Sequence, residues 1–161
     1  MFAVEKLSGS KAEIYEELAR QARGLLDGER DLIANAANVA ALIWTLMPDL
    51  NWAGFYFVKG GELVLGPFQG KPACVRIAMG KGVCGTAAAT RASVLVDDVH
   101  AFPGHIACDS ASNSELVVPL IKNGIVHGVL DLDSPLFARF DASDRAAFER
   151  LVAFFVSATD M

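Results

Sequence analysis

The chain has 161 residues, 53% of them apolar, and a net charge of −5. That length and apolar content fit one domain with a buried core, too short for two, and argue against disorder. The acidic balance, with no basic block, leaves nucleic acid a poor partner class, and no window nears the roughly 20 apolar residues of a membrane helix.

The N-terminal MFAVEKLSGS is too short, and too polar after Val4, for a secretory signal, so a cytoplasmic protein is expected. Ser10-Lys-Ala-Glu13 is a capping-box pattern, and Ile14, Leu18, Ala22 and Leu25 follow at helical spacing to a stop at Gly28. A second helix is predicted from Asp31, with Leu32, Ala36, Val39, Ile43 and Met47 on one face, ended by Pro48. Trp52 to Val58 and Glu62 to Phe68 read as strands joined at Lys59-Gly60-Gly61. Cys74 to Met79 reads as a third strand, Val83 to Thr90 as a short Ala-rich helix and Ser93 to Val96 as another strand. A long irregular loop is expected from Asp97 to about Ser114, of a length usually functional or mobile. Glu115–Ile121 and Ile125–Ser134 form a hairpin turning at Asn123-Gly124. A last helix starts near Asp141 or Ser143 and buries Ala147, Phe148, Leu151, Val152 and Phe155. Hairpins with helices gathered at both ends predict an α+β fold: one domain over residues 1–161, core about 10–157, with an antiparallel sheet of about six strands. The apolar surface of the first two and last helices points to a homodimer.

Three carboxylates stand out. In IVHGVLDLDS, period-two alternation sends Val126, Leu130 and Leu132 into the core, and His127, Val129, Asp131 and Asp133 to the other face. Asp131 and Asp133 then lie about 7 Å apart. Burying either charge unpaired costs several kcal/mol, and no Lys or Arg lies nearby in sequence. Either that face meets water, with Asp133-Ser-Pro as turn chemistry, or a cationic or hydrogen-bond-donating ligand sits there. Glu115 opens the neighbouring strand, so the three acids can converge on a pocket suited to an ammonium group or to a shared proton. Trp52 and Tyr56 share one strand face, as core aromatics or as the wall of a small-ligand pocket.

The cysteines are Cys74, Cys84 and Cys108. An odd count argues against a secreted disulfide scaffold, there is no CxxC, and the spacing matches no zinc ribbon or finger. A zinc site from the three with His100 or His105 therefore has no motif behind it, and no metal or other cofactor is expected. Cys108, in HIACDSASNSELVVP, sits among Ser, Asn and Asp, where packing has little use for a thiol. It is the first candidate nucleophile. Cys84, at the start of a predicted helix, is a second, since helix N-termini lower thiol pKa. His100 and His105 flank Cys108 as candidate partners for a Cys–His pair.

With NWAGFYF, PFQGKPACVRI, GKGVCGTAA, HIACDSASNSE and VLDLDSP occurring in this order, the chain resembles the free methionine-R-sulfoxide reductases, which are built on a GAF domain. The resemblance spans roughly residues 10 to 157. It implies reduction of free methionine-R-sulfoxide, not of peptide-bound sulfoxide, to methionine. It makes Cys108 the attacking thiol, Cys74 the main resolving thiol and Cys84 a second or alternative one. Glu115 and Asp133 become acids near the sulfoxide oxygen, Asp131 the holder of the substrate ammonium, and Trp52 and Tyr56 the pocket for the methylthio end. Thioredoxin is the implied reductant. The rival reading is a GAF sensor module that binds a small ligand without chemistry, because fold does not fix function.

Overall fold

The computed structural model describes residues 9–106 and 109–161. Cys108 lies outside the described residues.

Helix α1 (Lys11–Leu26) begins at the capping box read from sequence: the Ser10 amide donates to Glu13 Oε2 at 2.7 Å, and the Glu13 amide to Ser10 Oγ at 3.4 Å. Helix α2 (Leu32–Leu46) is capped by Asp31, which accepts from the Ala34 amide at 2.8 Å. Strands β1 (Trp52–Lys59) and β2 (Glu62–Gly70) follow, then β3 (Arg76–Ala78), α3 (Gly82–Thr90) and β4 (Val94–Val96). Strands β5 (Ser114–Lys122) and β6 (Ile125–Ser134) lead to α4 (Ala142–Ala158), which opens on a second capping box, Asp141 with Asp144. Both hairpins turn through two residues of positive φ, Gly60-Gly61 and Asn123-Gly124, whose left-handed backbone matches the strand twist.

The strands form one antiparallel sheet in the order β3-β2-β1-β6-β5-β4. One face carries Phe55, Phe57, Leu116, Val118, Leu130 and Leu132 into a core shared with α1, α2 and α4. Buried Asp144 ties the start of α4 to α1, accepting from Tyr15 Oη, from Lys11 Nζ at 2.6 Å and also from Arg139 Nη1 at 3.4 Å. The opposite face carries Trp52, Tyr56, Val117 and Val129 against α3. Both faces are thus covered, as the expected α+β layering requires.

Three details differ from the sequence reading. The β5–β6 register jumps from Leu120↔Gly128 to Ile121↔Val126, a bulge at His127. One extra residue inverts the alternation, so Val126 packs on the α3 face instead of beside Leu130 and Leu132. Strand β3 is shorter than Cys74–Met79, because the β2 bulge at Gly66-Pro67 falls where its pairing would continue and Pro67 has no amide to donate. The segment after Asp97 is not wholly irregular. A 3-10 turn spans Val99–Ala101, Val99 is fully buried, and its amide donates to the Asn113 carbonyl at 3.0 Å.

Candidate active site

The α3 face of the sheet holds a partly open cleft with a cavity volume of about 40 Å³. Its wall is aromatic. Trp52 stacks on Tyr56 at 5.8 Å between ring centroids and on Phe68 at 5.2 Å. Trp52 Nε1 donates to the Lys71 carbonyl at 3.1 Å, and Tyr56 Oη to the Cys74 carbonyl at 3.1 Å. Both rings are therefore fixed at their polar ends and present apolar faces inward. Phe68, the outer ring of the stack, carried no signal beyond its place in a predicted strand.

The floor is acidic. Register sets Glu115 directly opposite Asp133, and Val117 opposite Asp131, while Asp131 and Asp133 also flank β1 opposite Gly54 and Trp52. All three carboxyls line the cleft. The structure thus brings together the three acids expected to converge: alternation puts Asp131 and Asp133 on one face, and the bulge at His127 sets Glu115 opposite Asp133, where the unshifted turn register would pair it with Leu132. Glu115 and Asp131 are each 6% exposed, so the reading of a strand end bathed in water does not hold for Asp131, while Asp133 is half-buried. No Lys or Arg among the described residues pairs with any of the three. Asp131 Oδ1 is buried without a hydrogen-bond partner, a position that costs free energy until something donates to it.

Burial pushes the Glu115 carboxyl well above the usual carboxylate range, and the Asp131 and Asp133 charges push it further. Burial and the Asp131 charge do the same to Asp133, partly opposed by a hydrogen bond from Ser112. Asp131 is raised to about 6 by burial, with hydrogen bonds from Cys84 and Glu115 working against it. Acids opposed across a strand pair and out of water cannot all ionise, so the cluster holds protons at neutral pH.

This has a consequence for stability. A carboxyl raised from 3.8 to about 6 binds its proton more tightly folded than unfolded. Its contribution is present below the unfolded value and is lost as pH rises toward 6, a loss of roughly 3 kcal/mol for about two units. Asp131→Asn is expected to melt higher than the parent protein at about pH 8, with the gap closing toward about pH 4. Urea unfolding across that range measures it, and a constant gap contradicts the burial of Asp131's charge.

Helix α3 supplies Cys84. Gly85 lets it approach: a Cβ there would stand 2.4 Å from the Ala78 carbonyl oxygen. Cys84 Sγ lies 3.9 Å from Glu115 Oε1 and is buried. Burial first, then the Asp131 and Glu115 charges, push its thiol well up. The helix N-terminus favours a thiolate, as the sequence suggested, but these carboxyls outweigh it. Cys74 borders the aromatic cluster and is disulfide-bonded. His105 lines the cleft with Nε2 3.9 Å from Glu115 Oε2. Burial, with the His100 charge, lowers its pKa while Glu115's is raised, and both shifts work against an ion pair between the two. His100 instead bonds Asn113 Oδ1 at 2.9 Å, exposed and outside the cleft.

The loop reaches the cleft through Asp109 and Ser112. Asn51 Nδ2 bonds Ser112 Oγ at 3.0 Å and Asp109 Oδ2 at 3.3 Å, and the Asn51 amide bonds the Asp133 carbonyl at 3.0 Å. Asn51 thereby fastens the loop to the acid-bearing strand, a role that no local sequence pattern announced.

The GAF domain family matches residues 29–159. The free methionine-R-sulfoxide reductase of Escherichia coli is 51% identical over 144 residues, covering 89% of this chain and 87% of its own. A solved structure of the Neisseria meningitidis free methionine-R-sulfoxide reductase with its substrate is 43% identical and superposes with a TM-score of 0.94, covering 98% of this chain and 95% of that one. A Burkholderia vietnamiensis structure described as a candidate GAF sensor protein is 63% identical with a TM-score of 0.91, covering 94% and 96% of the two chains.

Proposed function

The chain belongs to the GAF-domain family and, within it, to the free methionine-R-sulfoxide reductases, and from that premise we propose that it reduces free L-methionine (R)-S-oxide to L-methionine. The observation that carries this reading is the cross-strand pair of buried Glu115 and half-buried Asp133, both with raised pKa, beside the Trp52–Tyr56 wall.

A sulfoxide oxygen leaves poorly unless it gains a proton. In this proposal the methylthio end lies against Trp52 and Tyr56, and the sulfoxide oxygen faces Glu115 and Asp133. Their shared proton polarises the S–O bond while the Cys108 thiolate attacks sulfur. The transient bond between Cys108 and the substrate sulfur breaks as the protonated oxygen passes to Cys108 with cleavage of the S–O bond; Cys108, oxidised by two electrons, becomes a sulfenic acid, and methionine leaves with its sulfur reduced by two. Cys74 then condenses with the sulfenic acid, releasing water and forming a disulfide, and a thioredoxin-type dithiol reduces that disulfide by exchange. The disulfide-bonded state of Cys74 and the raised pKa of Cys84 favour Cys74 as resolver, with Cys84 as the alternative.

Asp131, with its unpartnered Oδ1, takes the substrate ammonium. A peptide-bound residue lacks that ammonium and brings flanking chain that the cleft must exclude. No helix among the described residues is long and apolar enough to cross a membrane, in keeping with the proposed cytoplasmic setting. A homodimer through the outer helices belongs to the same proposal.

The sensor reading requires ligand binding without chemistry. It gives no role to a proton-holding acid pair beside Cys84, nor to the disulfide-bonded Cys74. The separating experiment couples thioredoxin oxidation to sulfoxide loss. Expected are turnover of the free R epimer, none of the S epimer and little of the N-acetylated R-sulfoxide. Binding without methionine release favours the sensor, and undiminished turnover of the N-acetylated form removes the ammonium role of Asp131.

A further inference from the structure

Cys84 Sγ and one oxygen each of Glu115 and Asp131 all lie within 4.8 Å of one another, and all three residues are buried. Cys84 Sγ and Glu115 Oε1 are 3.9 Å apart. Zinc bond lengths of about 2.3 Å to sulfur and 2.0 Å to oxygen put tetrahedral S and O ligands about 3.5 Å apart, so the Cys84–Glu115 pair closes on one ion with a shift of a few tenths of an ångström and the widest pair with at most about 1.5 Å, within reach of side-chain rotation. A second observation points independently to a bound cation: Asp131 Oδ1, buried in the same corner, has no partner. The positive side chains that line the cleft do not serve the corner. Lys71 lies 3.5 Å from Asp109, and Lys81 flanks the entrance of α3.

We propose that this corner is also a binding site for a borderline-soft divalent cation, Zn²⁺ being the fitting ion, held by Cys84, Glu115 and Asp131. A thiolate with two carboxylates selects Zn²⁺ over Mg²⁺ or Ca²⁺, which take oxygen ligands in larger number. The fourth position goes to water or to His105, whose Nε2 stands 3.9 Å from the other oxygen of Glu115. Binding releases the thiol proton and those held by the carboxyls, so affinity rises with pH. This is not the three-cysteine zinc centre weighed from sequence, since it uses one cysteine and stabilises no separate fold. The ion occupies the place assigned above to the substrate ammonium, so metal and substrate exclude one another. That exclusion rests on the proposed function, whereas the metal site itself does not.

The test uses the full chain with Co²⁺ or Zn²⁺ alone. One Co²⁺ per chain is expected, with thiolate-to-cobalt charge-transfer absorption that Zn²⁺ abolishes and Mg²⁺ does not. Changing groups that merely orient ligands weakens metal sites about 10–100-fold, so loss of a ligand in Cys84→Ser is expected to weaken Zn²⁺ by at least that factor and to remove the band. Cys74→Ser keeps both. Should Cys84→Ser fail to fold, Asp131→Asn decides, and Zn²⁺ binding unchanged in it overturns the site. So does a cobalt band that survives Cys84→Ser, or the absence of stoichiometric Co²⁺. Added methionine sulfoxide is expected to lower the cobalt band. Cobalt held regardless of substrate overturns the exclusion. A protein that binds cobalt but turns over no sulfoxide upholds the site and sinks the proposed function instead.

Discussion

Cys108→Ser is expected to release no methionine from free methionine-R-sulfoxide, even when enzyme exceeds substrate, whereas Cys74→Ser is expected to release one methionine per site and then stall. The contrast follows from dividing the reaction at the sulfenic acid. Oxygen transfer needs a polarisable thiolate, and a serine hydroxyl is neither ionised near neutral pH nor able to hold the oxygen reversibly. Losing the attacking group should therefore cost the whole rate over background. Losing the resolving thiol leaves the first transfer intact and blocks only recycling. Cys84 does not rescue the attack, because burial beside Asp131 and Glu115 keeps its thiol protonated. It can rescue resolution slowly, which would appear as a weak steady state in Cys74→Ser. Rapid-quench measurement of methionine, with thiol titration of the quenched protein, reads both steps. Methionine release by Cys108→Ser at the parental rate would move the attack to another cysteine.

Local chemistry carried most of the fold. Ser10 with Glu13, Asp31, Asn123-Gly124 and the Gly60-Gly61 turn act over a few residues, so the helix starts and both hairpins could be read without tertiary knowledge. The acid cluster was legible only in part: alternation puts Asp131 and Asp133 on one face and the turn brings Glu115 near them, but the bulge at His127 is what sets Glu115 opposite Asp133 and not opposite Leu132. What escaped depends on residues distant in sequence. The bulge at His127 inverts Val126 through a two-against-one pairing that alternation cannot reveal. The turn at Val99 exists because Asn113 offers its carbonyl across the loop, and Asn51 matters only because β1 begins beside Asp133. Cys84 shows the limit most plainly. Its helix-start position argues for reactivity, and only the three-dimensional neighbourhood reverses the sign.

Glu115→Gln is expected to lower kcat/KM for the free R-sulfoxide by about 10²–10⁴, the range of a lost general acid, or about 3–5 kcal/mol of barrier. Glutamine keeps the shape and can still donate a hydrogen bond, but it has no proton to surrender to the departing oxygen. Substrate affinity should change far less, since Asp131 and the aromatic wall remain. The pH profile distinguishes proton donation from mere positioning. Burial and neighbouring acids raise the Glu115 and Asp133 carboxyls in the folded protein, so the protonated, active form prevails below their raised values and activity falls as pH climbs through them. That falling limb disappears in Glu115→Gln. Asp133→Asn alone should cost a comparable factor, and the double variant little more, because one proton shared by two carboxyls can be lost only once. Strictly additive losses, or a falling limb unchanged in both single variants, would place the proton donor elsewhere in the cleft and leave the acid pair a purely structural role.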